Sequence, residues 1–195
     1  QLRAYLKRRA EALSLQSGWE QCERMLDRGK QPHYTLGLVA KDETVAVLAL
    51  FSNNSNTPIV AEINIDDEDC SEKISSFSGE HKVSLLSVQS DTKSRSLSKK
   101  LVKILPLEGV KVVAFPLSVV KTLVREVARR PEEALMGHDT RQAYLLARLS
   151  ANPRDMAFHA PHIVRAFVPH RGEINSRMLE DFEQSFLCAL VASHG

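Results

Sequence analysis

Two stretches of this 195-residue chain carry residue types at spacings that could do chemistry: Glu62 in "PIVAEIN", and the run "DTKSRSLSKK" from Asp91 to Lys100. A carboxylate set among strand-forming apolar residues can have its pKa raised by burial, which suits it to accept a proton from an attacking amine. The run follows "HKVSLLSV", which reads as a strand, and leads into "LVKIL", which reads as a helix. A loop so placed can aim main-chain N–H groups and a helix N-terminus at one point, as a pyrophosphate requires. Lys93 to Ser98 supply the amides and hydroxyls, and Lys93, Arg95, Lys99, Lys100 and Lys103 supply the positive field. A plainer reading stands beside each. Glu62 can face solvent from a half-buried strand, and the run can be a polar turn capping a surface helix.

The elements that must position these residues follow from hydrophobic period and turn chemistry. "LRAYLKRRAEAL" spaces Leu2, Leu6, Ala10 and Leu13 as one helical face, and "SGWEQCERMLDRGK" reads as a second helix from a Ser17 cap to a Gly29 stop. "HYTLGLVAKDETVAVLALFS" reads as a hairpin turning at Lys41 to Glu43, "NNSNTP" as a further turn, and "IVAEINIDD" as a third strand. Residues 66–78 are acidic, then serine-rich, and read as a solvated loop or short helix. After the quoted run come a strand in "VKVVAFPL" and a helix with Val119, Val120, Leu123, Val124 and Val127 on one face, broken at Pro131. A short helix follows, capped by Asp139. "MAFHAPHIVRAFVPH" reads as one or two strands, and residues 173–193 as a docked C-terminal helix with Leu179, Phe182, Phe186, Leu190 and Val191 on its stripe. That order predicts a single α+β domain over residues 1–195, a mostly antiparallel mixed sheet flanked by helices.

On "KSRSLSKKL" and on this order of elements the sequence resembles the GNAT superfamily of acyl-CoA-dependent N-acyltransferases. The family's cofactor motif follows a central strand, reads roughly Arg/Gln-x-x-Gly-x-Gly/Ala, and opens a helix with Leu one turn on. Here Lys93 takes the basic position, Ser96 and Ser98 take the glycine positions, Leu97 lies between them, and Leu101 is the anchor. The resemblance covers roughly residues 1–130, in order more than in residues. It implies acetyl-CoA or another acyl-CoA bound by Lys93, Ser94, Arg95, Ser96, Leu97, Ser98 and Lys99, with main-chain groups of Leu86 and Val88 pairing with the pantetheine arm. It also implies that an amine, a protein lysine among the candidates, attacks the thioester while Glu62 takes its proton.

The sequence departs from the family in two respects. Serines where the family has glycines narrow the backbone freedom that lets a loop approach phosphate. The positions where the family often carries Asn and then Tyr fall near Ser118 and Arg125, and no tyrosine stands there. The competing expectation is a non-catalytic protein–protein interaction module that retains an enzyme-like fold.

Composition narrows the classes further. Hydrophobic residues make up 43% and charged residues 26%, as in ordinary globular chains. A net charge of +2 does not point to nucleic acid or an anionic membrane, and no apolar run reaches the span of a bilayer. The partners left are an amine substrate, which the resemblance implies, or another protein, which the competing expectation implies. Cys22, Cys70 and Cys188 are too few and too scattered for a disulfide framework, which suits a cytosol-like reducing compartment. Cys188 in "FLCAL" reads as a core residue, and the acids around Cys70 disfavour a thiolate nucleophile. The chain opens at Gln1 rather than Met, as a fragment or processed form would, and an upstream targeting segment would lie outside it. His159, His162 and His170 are spaced as candidate metal ligands or as strand-edge histidines; no metal is expected. "DDEDCSE" lacks the glycine and spacing of a calcium loop, and reads as a solvated acidic loop that could also recruit a basic peptide.

Overall fold

A computed structural model describes residues 1–26, 34–52, 55–78, 81–104, 110–127 and 136–192. The chain packs as two compact units, residues 30–152 and residues 1–29 with 153–195.

The larger unit is built on a five-stranded sheet. Its strands are β1 (Tyr34–Ala40), β2 (Val45–Ser52), β3 (Ser55–Asn64), β4 (Leu85–Gln89) and β5 (Lys111–Phe115), in the spatial order β3-β2-β1-β4-β5. β2 runs antiparallel to β1 and to β3, whereas β1, β4 and β5 are parallel neighbours. The class is α+β, with a mixed sheet flanked by helices.

"YTLGLVA" and "VAVLALFS" are apolar without a break because both faces of β1 and β2 are buried. One face presents Leu36, Leu38, Leu48, Leu50, Leu86 and Val88 to α2 (Cys70–Ser78) and α3 (Thr92–Ile104), which contribute Ile74, Leu97 and Leu101. The other face packs against α5 (His138–Ala151); α4 (Leu117–Val127) lies against α5. Gly37 marks the closest approach. A Cβ built there would stand 1.8 Å from the Ala143 carbonyl oxygen, so only a bare backbone lets the helix cross.

The smaller unit is helical: α1 (Leu2–Leu26), α6 (Pro153–His159), α7 (His162–Ala166), a 3₁₀ turn (Arg171–Glu173) and α8 (Ser176–Ala192). Trp19 meets Phe182 and Phe186 edge-on, at centroid distances of 6.1 and 5.0 Å, and joins α1 to the C-terminal helix. Gly18 is buried, with Val168 Cγ2 2.7 Å from the Cβ it lacks.

Several expectations change here. The two N-terminal helices are one, because Gly18 serves close packing rather than a break; the expected stop at Gly29 lies outside the described residues. Leu2, Leu6 and Leu13 are exposed, and α1 instead buries Gly18, Cys22 and Met25. The strands expected in "MAFHAPHIVRAFVPH" are the short helices α6 and α7, whose Met156, Ala157, Ile163 and Val164 are buried by tertiary packing that overrides β-propensity. The C-terminal helix is present, but its stripe is Phe182, Phe186 and Leu190, which leaves Cys188 and Val191 on the exposed side. The chain is already extended at Ser55, within the expected "NNSNTP" turn, whose Asn53 and Asn54 lie outside the described residues. Leu105 and Pro131 also lie outside them. Asp139 stands in the first turn of α5, and Gly137 occupies the cap position.

Candidate functional site

In sheets with parallel strands, ligands bind outside the carboxyl ends where neighbouring strands are continued in opposite directions. β1 and β4 meet that condition. From β1 the chain turns to β2 on one side, and from β4 it passes through α3 to β5 on the other. A cleft of ≈ 560 Å³ lies there, with Val39, Ala40, Gln89 and Asp91 among its lining residues. α4 adds Leu117, Val120, Lys121, Val124 and Arg125, and α5 adds His138, Asp139 and Gln142.

Four polar residues of the cleft, Gln142, Gln89, Asp91 and Ser94, are linked in a chain of hydrogen bonds. Gln142 Nε2 donates to Gln89 Oε1 at 2.6 Å, and the Gln89 side chain hydrogen-bonds Asp91 in turn. Asp91 caps α3, accepting the Ser94 N–H at 2.9 Å and the Ser94 hydroxyl at 2.7 Å. Burial pushes the Asp91 carboxyl up, but the hydrogen bonds from Ser94, Lys93 and Gln89 outweigh it and hold the group below its usual range.

The cations of the cleft differ in their engagements. Lys41 pairs with Glu62 at 2.5 Å, and that hydrogen bond, against a lesser cost of desolvation, raises its pKa. Arg125 is 3.8 Å from Glu126. Among the described residues, Lys93 and Lys121 make no ion pair within 4.0 Å. They come from different helices and line the same cleft.

The residues anticipated for a cofactor are thereby divided. Lys93 to Ser98 are not a loop but the first two turns of α3. The Lys93 and Ser94 amides bond the Asp91 carboxylate, and the Arg95 N–H donates to the Asp91 carbonyl at 3.1 Å. Ser96, Leu97 and Ser98 lie within the helical ladder, Leu97 fully buried and the Ser98 hydroxyl bonded to the Arg95 carbonyl at 2.9 Å. The anion at this helix N-terminus is therefore the protein's own carboxylate. Of the anticipated set only Lys93 and Ser94 line the cleft. Arg95 donates to the Ser90 hydroxyl at 2.5 Å, and Ser96 and Lys99 are exposed.

Leu86 and Val88 are core residues of an internal strand whose edges are both occupied, by Leu36 and Leu38 on one side and Val112 and Ala114 on the other. The main chain expected to meet a pantetheine arm is paired within the sheet. Glu62 is exposed on β3 and lines a different groove, and its ion pair with Lys41 ties it to the cleft.

The gathering of Gln89, Lys121, Asp139 and Gln142 went unread in the sequence. Asp139 reads in the sequence as a helix cap, and Gln89, Lys121 and Gln142 sit in segments dominated by their apolar period. Position is a signal for two of them: Gln89 ends β4, and Lys121 lies in the first half of the helix that follows β5, whereas Asp139 and Gln142 come from a helix that follows another helix.

The histidines occupy separate places. His159 pairs with Asp155 at 3.0 Å and His162 with the buried Glu183 at 3.0 Å, while His170 has a left-handed backbone before the 3₁₀ turn. Among the described residues no group of three or more His, Cys, Asp or Glu side chains could hold a metal ion. Among the described residues, too, no helix is long and apolar enough to cross a membrane. No family model and no curated protein sequence matches the chain.

Proposed function

We propose that this chain is a non-catalytic binding domain whose cleft at the carboxyl ends of β1 and β4 receives a phosphorylated nucleoside, free or as the end of a larger molecule. The observation that carries this reading is that Lys93 and Lys121, neither ion-paired within 4.0 Å among the described residues, line one cleft with an amide pair and an apolar wall. Two ammonium groups favour phosphate. The Gln89 and Gln142 amides can bond a heterocycle's edge, and Leu117, Val120 and Val124 can cover its face.

Thermal unfolding with ATP, CoA, a short oligothymidylate and inorganic phosphate distinguishes the sources of this chemistry. A ligand at a hundred times its dissociation constant stabilises by about 2.7 kcal/mol. The expected result is a raised midpoint with at least one nucleoside-bearing probe, lost in Lys93→Glu and in Lys121→Glu. No shift with any probe at millimolar concentration would overturn the proposal.

Acyl transfer stands as a second reading because Lys93 and Ser94 line the cleft and Lys41 links Glu62 to its rim. Release of CoA thiol from acetyl-CoA in the presence of an amine, abolished by Glu62→Gln with CoA binding intact, would select it. CoA binding without turnover selects the first.

A further inference from the structure

Among the described residues β3 has a partner strand on one side only. The Ile65 N–H donates to the Thr44 carbonyl at 2.9 Å, which sets the alternation of the antiparallel ladder. Ile63, Ala61 and Ile59, in register with Ala46, Leu48 and Leu50, then exchange hydrogen bonds with β2. The main-chain groups of Val60 and Glu62 point the other way, off the sheet. This open window is bounded at both ends: Pro58 has no N–H to offer, and the Asn64 carbonyl accepts the Asp67 N–H at 3.3 Å.

A groove of ≈ 440 Å³ runs beside the window, between Ala61, Glu62 and Ile63 of β3 and the segment bearing Asp69, Glu72, Lys73, Ser76 and Phe77. Its floor is apolar, and Ile59 and Val60 add exposed apolar surface, at 50% and 39%. Its surroundings are acidic. Lys73 is held between Asp67 and Asp69, at 3.1 and 2.9 Å, while Asp66, Glu68 and Glu72 add further negative charge along the same segment.

We propose that the β3 edge receives an extended peptide as an added strand, one that alternates apolar residues with Lys or Arg. Strand addition supplies main-chain bonds to Val60 and Glu62, and its two-residue period sends alternate side chains into the groove. There a Lys or Arg lays its methylenes on Ala61 and Phe77, both only partly buried, and carries its cation to Asp69 and Glu72. The surface is separate from the cleft, so this inference stands whether or not a nucleoside binds there.

The test is fluorescence anisotropy of the whole chain with a labelled Lys–Val alternating heptapeptide, a Glu–Val counterpart, and the Lys–Val peptide N-methylated on alternate residues in each of the two phases. The Lys–Val peptide should bind, more weakly in high salt, and one N-methylated phase should lose tenfold or more. Val60→Pro removes an outward N–H without touching the bonds to β2, and should cost a similar factor with an unchanged thermal midpoint; Glu72→Lys should also weaken binding. Equal binding of the Glu–Val peptide, or full binding of both N-methylated peptides, would overturn the proposal. So would a dimer in sedimentation that Val60→Pro dissociates, because the occupant would then be a second copy of this chain.

Discussion

Asp91 and Ser94 are bonded twice, the carboxylate accepting both the N–H and the hydroxyl of the residue three positions on. This pair starts α3 and closes its N-terminus to outside anions. Asp91→Ala should cost about 1 kcal/mol in urea unfolding at neutral pH, the usual loss for a helix cap. The folded-state pKa is lowered, so the charged cap's contribution is present above the unfolded value of about 3.9 and is lost as pH falls through the folded value. The difference between wild type and Asp91→Ala should therefore shrink below about pH 4.

The same pair bears on ligand affinity. Removing the Asp91 charge leaves Lys93 and Lys121 facing a cleft with one carboxylate fewer. Asp91→Asn, which keeps a capping oxygen, should bind ATP or CoA more tightly than wild type at low salt. Weaker binding would mean that the carboxylate itself contacts the ligand.

Gly37 makes a prediction about packing. Its missing Cβ leaves space already occupied by the Ala143 carbonyl, and Ala147 N would be only 3.0 Å away. Neither can retreat without lifting α5 from β1 and β2. Gly37→Ala should lower stability by several kcal/mol, more than the usual 1–3 for an overpacked core, and α5 should lose hydrogen-exchange protection first. An alanine variant within 1 kcal/mol of wild type would show that α5 slides at little cost.

The three thiols should differ in reactivity. Burial, with a smaller effect from Glu23, pushes Cys22 up to about 12, and burial followed by Asp67 and Asp69 raises Cys70. Cys188 is exposed. At pH 8 both buried thiols therefore carry little of the reactive thiolate. An aromatic disulfide reagent should label Cys188 rapidly in the native protein and the other two only on unfolding; Cys188→Ser should abolish the fast phase.

What was readable in the sequence divides along local and non-local physics. The unbroken apolar runs of β1 and β2, the Lys41–Glu43 turn, and the Val119, Val120, Leu123 face of α4 announce elements that local pattern alone dictates. The Asp91 cap has a sequence signal too, an Asp ahead of the helical spacing of Leu97, Leu101 and Ile104, but the serines and cations between them equally fit a phosphate loop. The strand order was not readable: β1 becomes central through its pairing with β4, some fifty residues away, and only that pairing creates the cleft. α6 and α7 misled because Phe158, Ile163, Val164 and Phe167 favour strands in isolation, and the contacts that make them helical come from distant segments.

The last prediction concerns a polar pair inside the α5 face of the sheet. Ser87 donates to Ser150 Oγ at 2.6 Å, and both residues are buried. A buried hydroxyl left without a partner costs about 1–3 kcal/mol, but the two serines are not equally exposed to that penalty. Ser150 lies on a helix and can turn its hydroxyl to the Leu146 carbonyl one turn back, whereas Ser87 sits on an internal strand whose main-chain acceptors are paired with β1 and β5. Ser150→Ala should therefore destabilise more than Ser87→Ala. The double alanine variant should be less destabilised than the sum of the two, because it leaves no orphaned hydroxyl. Equal single losses that add would indicate that the hydroxyls fill space and that their bond contributes little to stability.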